Sequence, residues 1–231
     1  MANGEVRSRA LSGKTRAICD AIEQRLVRGA YKFGQEILAT DLVREFDASR
    51  APVMAALNFL RAEGYLIITP QVGCRVIAPT TQEIEDYFFV YGRLESAMTF
   101  LAAQRRTDEE VEELRFIQSR VRAATPGKGD MISSAFVDKV ADFHRKIHAM
   151  SHSKYEAERA ERYWRMSEFF LFNGNKLRIE GGDPLETANR EREDIVEAIA
   201  RRDAEAAALA MEKHVRGKPR RADVVGFTSG D

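Results

Sequence analysis

The stretch Ser49-Arg50-Ala51-Pro52-Val53-Met54-Ala55-Ala56-Leu57, followed by Leu60-Arg61-Ala62-Glu63-Gly64-Tyr65-Leu66, decides the fold of the N-terminal part of the chain. Ser49 suits an N-cap, because its hydroxyl can accept from a free backbone N–H of the first turn. Pro52 falls in that turn, where a missing N–H costs little. Val53, Ala56, Leu57 and Leu60 recur at helical spacing and make one apolar face, and Gly64 stops the helix after about Glu63. Two extended runs follow, Tyr65–Thr69 and Arg75–Ala78, with Pro70-Gln71-Val72-Gly73 as the turn between them.

N-terminal to this stretch, Lys14 to Arg28 reads as a helix: Ile18, Ile22 and Leu26 recur every four residues, and Gly29 ends it. Gly34 precedes a second helix holding Ile37, Leu42 and Phe46, broken at Asp47-Ala48-Ser49. Helix, helix, capped helix and hairpin, in that order, predict a winged helix-turn-helix. Pro79-Thr80-Thr81 marks a boundary, and everything beyond it has helical periodicity. Ile84, Phe88, Tyr91, Leu94, Met98 and Leu101 form one stripe. Thr107 with Asp108, Glu109 and Glu110 caps the next helix. Further helices are expected at about 132–150, 154–172, 186–201 and 203–215, with loops at Thr125–Asp130 and Asn173–Asp183.

The expected fold is therefore mainly α, a winged helix-turn-helix followed by an all-helical antiparallel bundle. The expected organisation is a flexible basic arm at 1–12, a DNA-binding domain at 13–78, an all-helical domain at 80–216, which the resemblance given below makes an effector-binding and dimerisation domain, and a disordered tail at 217–231. Length suits two domains, and 44% hydrophobic with 31% charged residues excludes disorder throughout. Cys19 and Cys74 show no ligand spacing, which points to a reducing cytoplasm. No apolar run approaches a membrane span, and the first residues lack the apolar core of a signal peptide. The formal net charge of zero hides a split: residues 1–78 carry 11 Lys and Arg against 8 Asp and Glu, and the remainder carries 25 against 28. The positive end is the end that reads as DNA-binding.

The residues from Ser49 to Leu66, with Gly73-Cys74-Arg75-Val76, resemble the GntR family of bacterial transcription regulators. The pattern there is close to S-R-x-P-V-R-x-A-L, then L-x-x-E-G-L, then G-x-x-V. Residues 80–216 are similar to the FCD effector domain of the FadR-type subfamily. Leu94-Glu95, Phe143-His144 with Ser151-His152-Ser153, and the run Ile195 to Ala207 leading to His214 carry that likeness.

The resemblance implies a double-stranded DNA operator with two half-sites, read by a homodimer. The start of the third helix enters the major groove, so Ser49, Arg50, Pro52 and Met54 face DNA there. Arg50 can grip a phosphate or the O6/N7 edge of guanine. Thr40 can donate to a phosphate, and Gly73 and Arg75 place the wing against the minor groove or the backbone. Met54 departs from the family, which usually has a second arginine there, and Thr40 stands where some relatives carry arginine. Weaker electrostatic binding, a shallower salt dependence or a shifted operator follows, with Arg7, Arg9 and Lys14 of the arm in compensation.

The same resemblance implies a divalent metal held by one aspartate and three histidines, which in turn holds a small carboxylate. His144 matches the first histidine and His214 the last. Val140 stands at the aspartate position and Arg192 at the middle histidine. The expectation is a metal-free pocket in which Arg192, His144 and His214 bind a small organic acid. A zinc-type site on His144, His148 and His214 stays open as an alternative, as does a constitutive DNA-binding protein with a decayed sensor. An enzyme built on the His144, His148 and His152 stripe lacks any partner constellation of acid, base or nucleophile. In the leading reading, effector binding changes the spacing of the two DNA-reading heads and so their fit to the half-sites.

Overall fold

The structure is a computed structural model that describes residues 13–69, 73–127, 130, 132–174 and 184–221. The arm with Arg7 and Arg9, the turn Pro70–Val72, most of the second loop and the tail from 222 lie outside the described residues. The chain forms two compact units: Met1–Pro79 with Glu168–Gly174, and Thr80–Ser167 with Asn175–Asp231.

The first unit contains α1 (Gly13–Val27), β1 (Glu36–Ile37), α2 (Ala39–Glu45), α3 (Arg50–Ala62), β2 (Leu66–Thr69) and β3 (Gly73–Val76). Ile18, Ile22 and Leu26 of α1 meet Val53, Ala56, Leu57 and Leu60 of α3, all buried, so both apolar periodicities point inward. Three details differ from expectation, the first being that β3 begins at Gly73, expected in the turn, and ends at Val76 rather than Ala78. Ile37 belongs to β1 rather than to the second helix, and Phe46 is that helix's C-cap. A two-residue strand is too short to leave an alternating pattern. It exists because β3 offers it a partner: the sheet order is β1-β3-β2, antiparallel, with Ile37 opposite Cys74 and Ile68 opposite Cys74 on the other side. Ser49 caps α3 in extended backbone but makes no side-chain cap bond, which leaves its hydroxyl outside the helix's own needs.

The last turns of α7 (Lys154–Gly174) complete this unit's core. Phe169 stands edge-on to Phe33 and Tyr65, with centroids 5.4 and 5.2 Å apart, and Asn173 Nδ2 donates to Leu26 O at 2.5 Å.

The second unit is helical: α4 (Thr81–Arg105), α5 (Asp108–Ala123), α6 (Ser134–Met150), α7 up to Ser167, α8 (Pro184–Ala200), α9 (Ala204–Arg216) and α10 (Lys218–Arg221). Helix α4 packs along α9 and against α6, while α8 packs on α9 and α5. Thr80 and Thr107 each make a full capping box, with Glu83 and Glu110. The buried face of α4 runs Ile84, Phe88, Tyr91, Glu95, Met98 and Ala102, whereas Leu94 and Leu101 are half-buried. The 3.6-residue turn accounts for the shift, and it places a glutamate in the core. Lys218–Arg221, expected within a disordered tail, form α10. Among the described residues no helix is long and apolar enough to cross a membrane.

Gly29 adopts φ 71°, and a Cβ there would meet Phe172 O at 2.5 Å. A left-handed non-glycine residue costs about 1–2 kcal/mol before any clash. Gly29→Ala is therefore expected to lower the thermal unfolding midpoint by several degrees, and an unchanged midpoint in calorimetry would contradict this packing.

Candidate functional site

The described residues expected to face DNA are all in the first unit. Thr40, Ser49, Arg50, Gly73 and Arg75 are exposed, and Pro52 and Met54 are half-buried. The start of α3 thus presents Ser49 and Arg50 to solvent while Val53 anchors the same turn in the core. Asn58 Nδ2 donates to Met54 O at 2.9 Å. Gly73 has φ 147°, a conformation that favours glycine, and open space where a Cβ would stand, so the wing can come close to a partner at this point. Arg75 is held across the sheet by Glu36, Nη2 to Oε1 3.0 Å, with both side chains more than half exposed. Such a pair is weak enough to yield to a phosphate. Lys14 donates to Asp47 O, at the break before α3.

In the helical unit, a buried polar cluster forms around Glu95 of α4. Its side chain has no exposure, and its two oxygens meet His144 Nδ1 at 2.7 Å and His148 Nε2 at 2.6 Å, both from α6. Burial pushes the Glu95 carboxyl up, but the two histidines outweigh burial and hold it well below the usual carboxylate range. An ionised carboxylate only accepts, so His144 carries its proton on Nδ1 and His148 on Nε2. Burial, then the charge of Lys218, pushes His144 down to about 3 against the opposing pull of Glu95. His144 is therefore neutral at pH 7, and its Nε2 is a lone pair. Lys218 Nζ lies 3.5 Å from that nitrogen. The His214 ring stacks on His144 with centroids 5.7 Å apart, and its Nδ1 meets Glu191 Oε2 at 2.9 Å.

The structure thus brings His144 and His214 together, as expected. Arg192 is buried on α8, one residue from Glu191, and donates from Nε to Gln118 Oε1 at 3.2 Å and from Nη2 to Asn189 Oδ1 at 2.5 Å. His152 is exposed and bonds Glu110 at 3.0 Å, so the His144, His148 and His152 stripe does not converge on one site. Four members of the cluster went unassigned in the sequence: Glu95, Trp164, Glu191 and Lys218. Glu95 had a signal, because it falls in register with Ile84, Phe88, Tyr91 and Met98 on a buried face.

The residues do not fit the metal that the resemblance implies. Val140 has no donor atom, and Arg192 brings positive charge in place of the middle histidine. Glu95, His144 and His148 do offer three ligand atoms within 4.8 Å of one another. The three side chains are already joined by two short hydrogen bonds, one to each oxygen of Glu95, whose protons a cation would have to replace. The space beside His144 Nε2 already faces an ammonium.

The cluster makes stability depend on pH. Unfolding lets His144 take up a proton between its folded value of about 3 and its ordinary 6.5, so stability rises with pH across that window. Glu95, held below its ordinary 4.5, acts in the same direction at lower pH. The unfolding midpoint should fall as pH drops below about 6.5, and His144→Gln should flatten that fall; parallel profiles for the two proteins would contradict the assignment.

Comparison with known proteins agrees with this two-part architecture. Residues 86–217 match the FCD domain family, and residues 14–76 match the bacterial regulatory proteins of the gntR family. The Nta operon transcriptional regulator of Aminobacter aminovorans is 29% identical over 127 residues, 54% of this chain and 57% of that protein, so the match spans little more than half its length. The HTH-type transcriptional repressor GlaR of Escherichia coli K12 is 23% identical over 193 residues, 82% of this chain and 87% of that protein. The solved structure of E. coli McbR/YncC is similar with a TM-score of 0.75 at 16% identity, covering 92% of this chain and 98% of that one, which supports the fold. The chain belongs to the GntR family of bacterial DNA-binding transcription regulators, in the group that carries an FCD effector-binding domain.

Proposed function

We propose that this regulator reads a two-half-site operator as a homodimer through Ser49 and Arg50, and that a small organic acid bound in the helical unit controls its hold on DNA. The observation that carries the DNA side is the exposed start of α3, where Ser49 and Arg50 are free of the helix's own capping. The observations behind the effector side are the stacked His144 and His214 rings and the burial of Arg192, which bonds Gln118 and Asn189, in a bundle interior where folds of this kind place their ligands. The wing adds Gly73 and Arg75, and Thr40 donates to the backbone from α2. Relatives named as transcriptional regulators favour binding over turnover.

Met54 sets the strength of the electrostatic hold. It offers no charge at a position that faces the groove together with Arg50, so one phosphate contact per head is missing. A duplex selected from random sequence by the full-length protein supplies the probe, with fluorescence anisotropy as readout. Arg50→Ala should weaken that complex about tenfold or more, as expected for loss of a base or phosphate contact of about 1–3 kcal/mol. Met54→Arg should tighten it and steepen the slope of log K against log salt by about 0.9 per added phosphate contact. Equal affinity for wild type and Arg50→Ala would remove α3 as the reading helix.

Arg192 is tested through the effector response. Arg192→Ala should abolish the change in operator affinity produced by an organic acid that acts on the wild type. A variant that still responds fully would take Arg192 out of the binding set.

A further inference from the structure

Large apolar side chains exposed one at a time are ordinary, but neighbours that share a face mark a contact surface. Among the described residues of the helical unit, five are exposed: Phe89, Val90, Phe116, Tyr155 and Leu209. Three of them lie on two helices that pack along each other. Phe89 and Val90, 46% and 51% exposed, are on α4, and Leu209, 71% exposed, is on α9.

The two helices approach closely here. A Cβ on Gly92 would meet Arg216 Cγ at 2.9 Å, and Arg93 Nη1 donates to Glu212 Oε2 at 2.8 Å. Leu209, Glu212 and Arg216 follow one another at three- and four-residue steps, so Leu209 shares that side of α9. The guanidinium carbons of Arg93 and Arg216 lie 5.7 and 4.9 Å from the Phe89 ring centroid. An exposed aromatic ring between arginines has the composition of a protein interface, where aromatic residues and arginine are enriched.

The order of side chains along α4 says which protein fits. Asp86, Phe89, Val90, Arg93 and Ala97 recur at three- and four-residue steps, are all exposed, and form one stripe. Asp86 lies as far before the midpoint of Phe89 and Val90 as Arg93 lies after it. A two-fold axis through that midpoint, with two α4 helices antiparallel, sets Phe89 opposite the partner's Val90 and Asp86 opposite the partner's Arg93. Opposite charges then meet at both ends of an apolar centre. The stripe is thus complementary to itself. Asp86 accepts from Gln82 Nε2 at 2.8 Å, a neutral donor that leaves its charge in place. Arg93 is 63% exposed beside Glu212, and its guanidinium has further N–H groups to give.

We propose that a second copy of this chain docks on this face: α4 crosses its counterpart antiparallel about a two-fold axis between Phe89 and Val90, Asp86 and Arg93 pair between copies, and Leu209 of α9 widens the apolar centre. This rests on the homodimer reading above and names the surface that the dimer uses.

The test uses full-length protein, sedimentation velocity at micromolar concentration and crosslinking with a short bis-maleimide. The wild type should sediment as a dimer. Phe89→Glu puts two carboxylates into the apolar centre and should raise the dimer dissociation constant about tenfold or more. Phe116→Glu makes the same change on α5 and should leave the dimer intact. Val90→Cys lies beside the axis and should be crosslinked copy to copy. Ala97→Cys stands about 22 Å along the helix from its own counterpart and should not be. Cys19 and Cys74 are buried, so the wild type gives the background. Circular dichroism melting checks that Phe89→Glu folds, and the two cysteine variants carry the test if it does not. A folded Phe89→Glu that dimerises like the wild type, or a dimer that Val90→Cys fails to crosslink, overturns this face and leaves the homodimer reading in place. Equal weakening by Phe116→Glu does the same. Crosslinking of Ala97→Cys as complete as that of Val90→Cys overturns the antiparallel register. A monomeric wild type overturns the homodimer reading and this inference together.

Discussion

A carboxylate with no exposure is the constraint around which the helical unit is arranged. Removing a charge from water costs several kcal/mol unless partners replace the solvent. Glu95 obtains those partners only if α6 presents His144 and His148, one helical turn apart, at a fixed height against α4. The two bonds set the rotation of α6, choose the protonated nitrogen of each ring and direct His144 Nε2 toward Lys218. The pair Glu191 and His214 does the same between α8 and α9. Ring orientation in this core is thus an electrostatic outcome, and apolar packing of Phe143, Ile147, Met98 and Met211 fills in around it.

The cluster's chemistry follows from that orientation. A histidine whose Nδ1–H is engaged by a carboxylate is prepared to offer Nε2 to a cation. In this chain the cation facing it is an ammonium, stabilised by two aromatic faces.

The first unit divides its labour differently. Its core is apolar and regular, and the surface proposed to read DNA consists of the residues the core does not need. Val53 fixes the first turn of α3 and leaves Ser49 and Arg50 outside it. Arg75 rests against Glu36 across the strands, a pairing that keeps a long side chain ordered at small energetic weight.

The apolar periodicity of Ile18, Ile22 and Leu26, the start of α3 at Ser49 with Pro52 in its first turn, and the helices α4 to α9 of the second unit were legible in the sequence alone. Each of those features is local: a repeat of three or four residues, a helix-starting residue or a missing N–H acts within one or two turns, so neighbouring residues suffice to reveal it. The pairing of Ile37 with Cys74, the entry of Glu95 into the core in place of Leu94, and the meeting of Lys218 with His144 were decided only by tertiary structure. A two-residue strand exists only once its partner strand is present. A glutamate is buried only if histidines from another helix arrive to bind it. Lys218 lies 74 residues from His144 in sequence, and nothing in the few residues around it distinguishes it from a solvated lysine at the end of the chain. Only the fold of the bundle decides that the rings of Trp164, Tyr91 and His144 stand beside it.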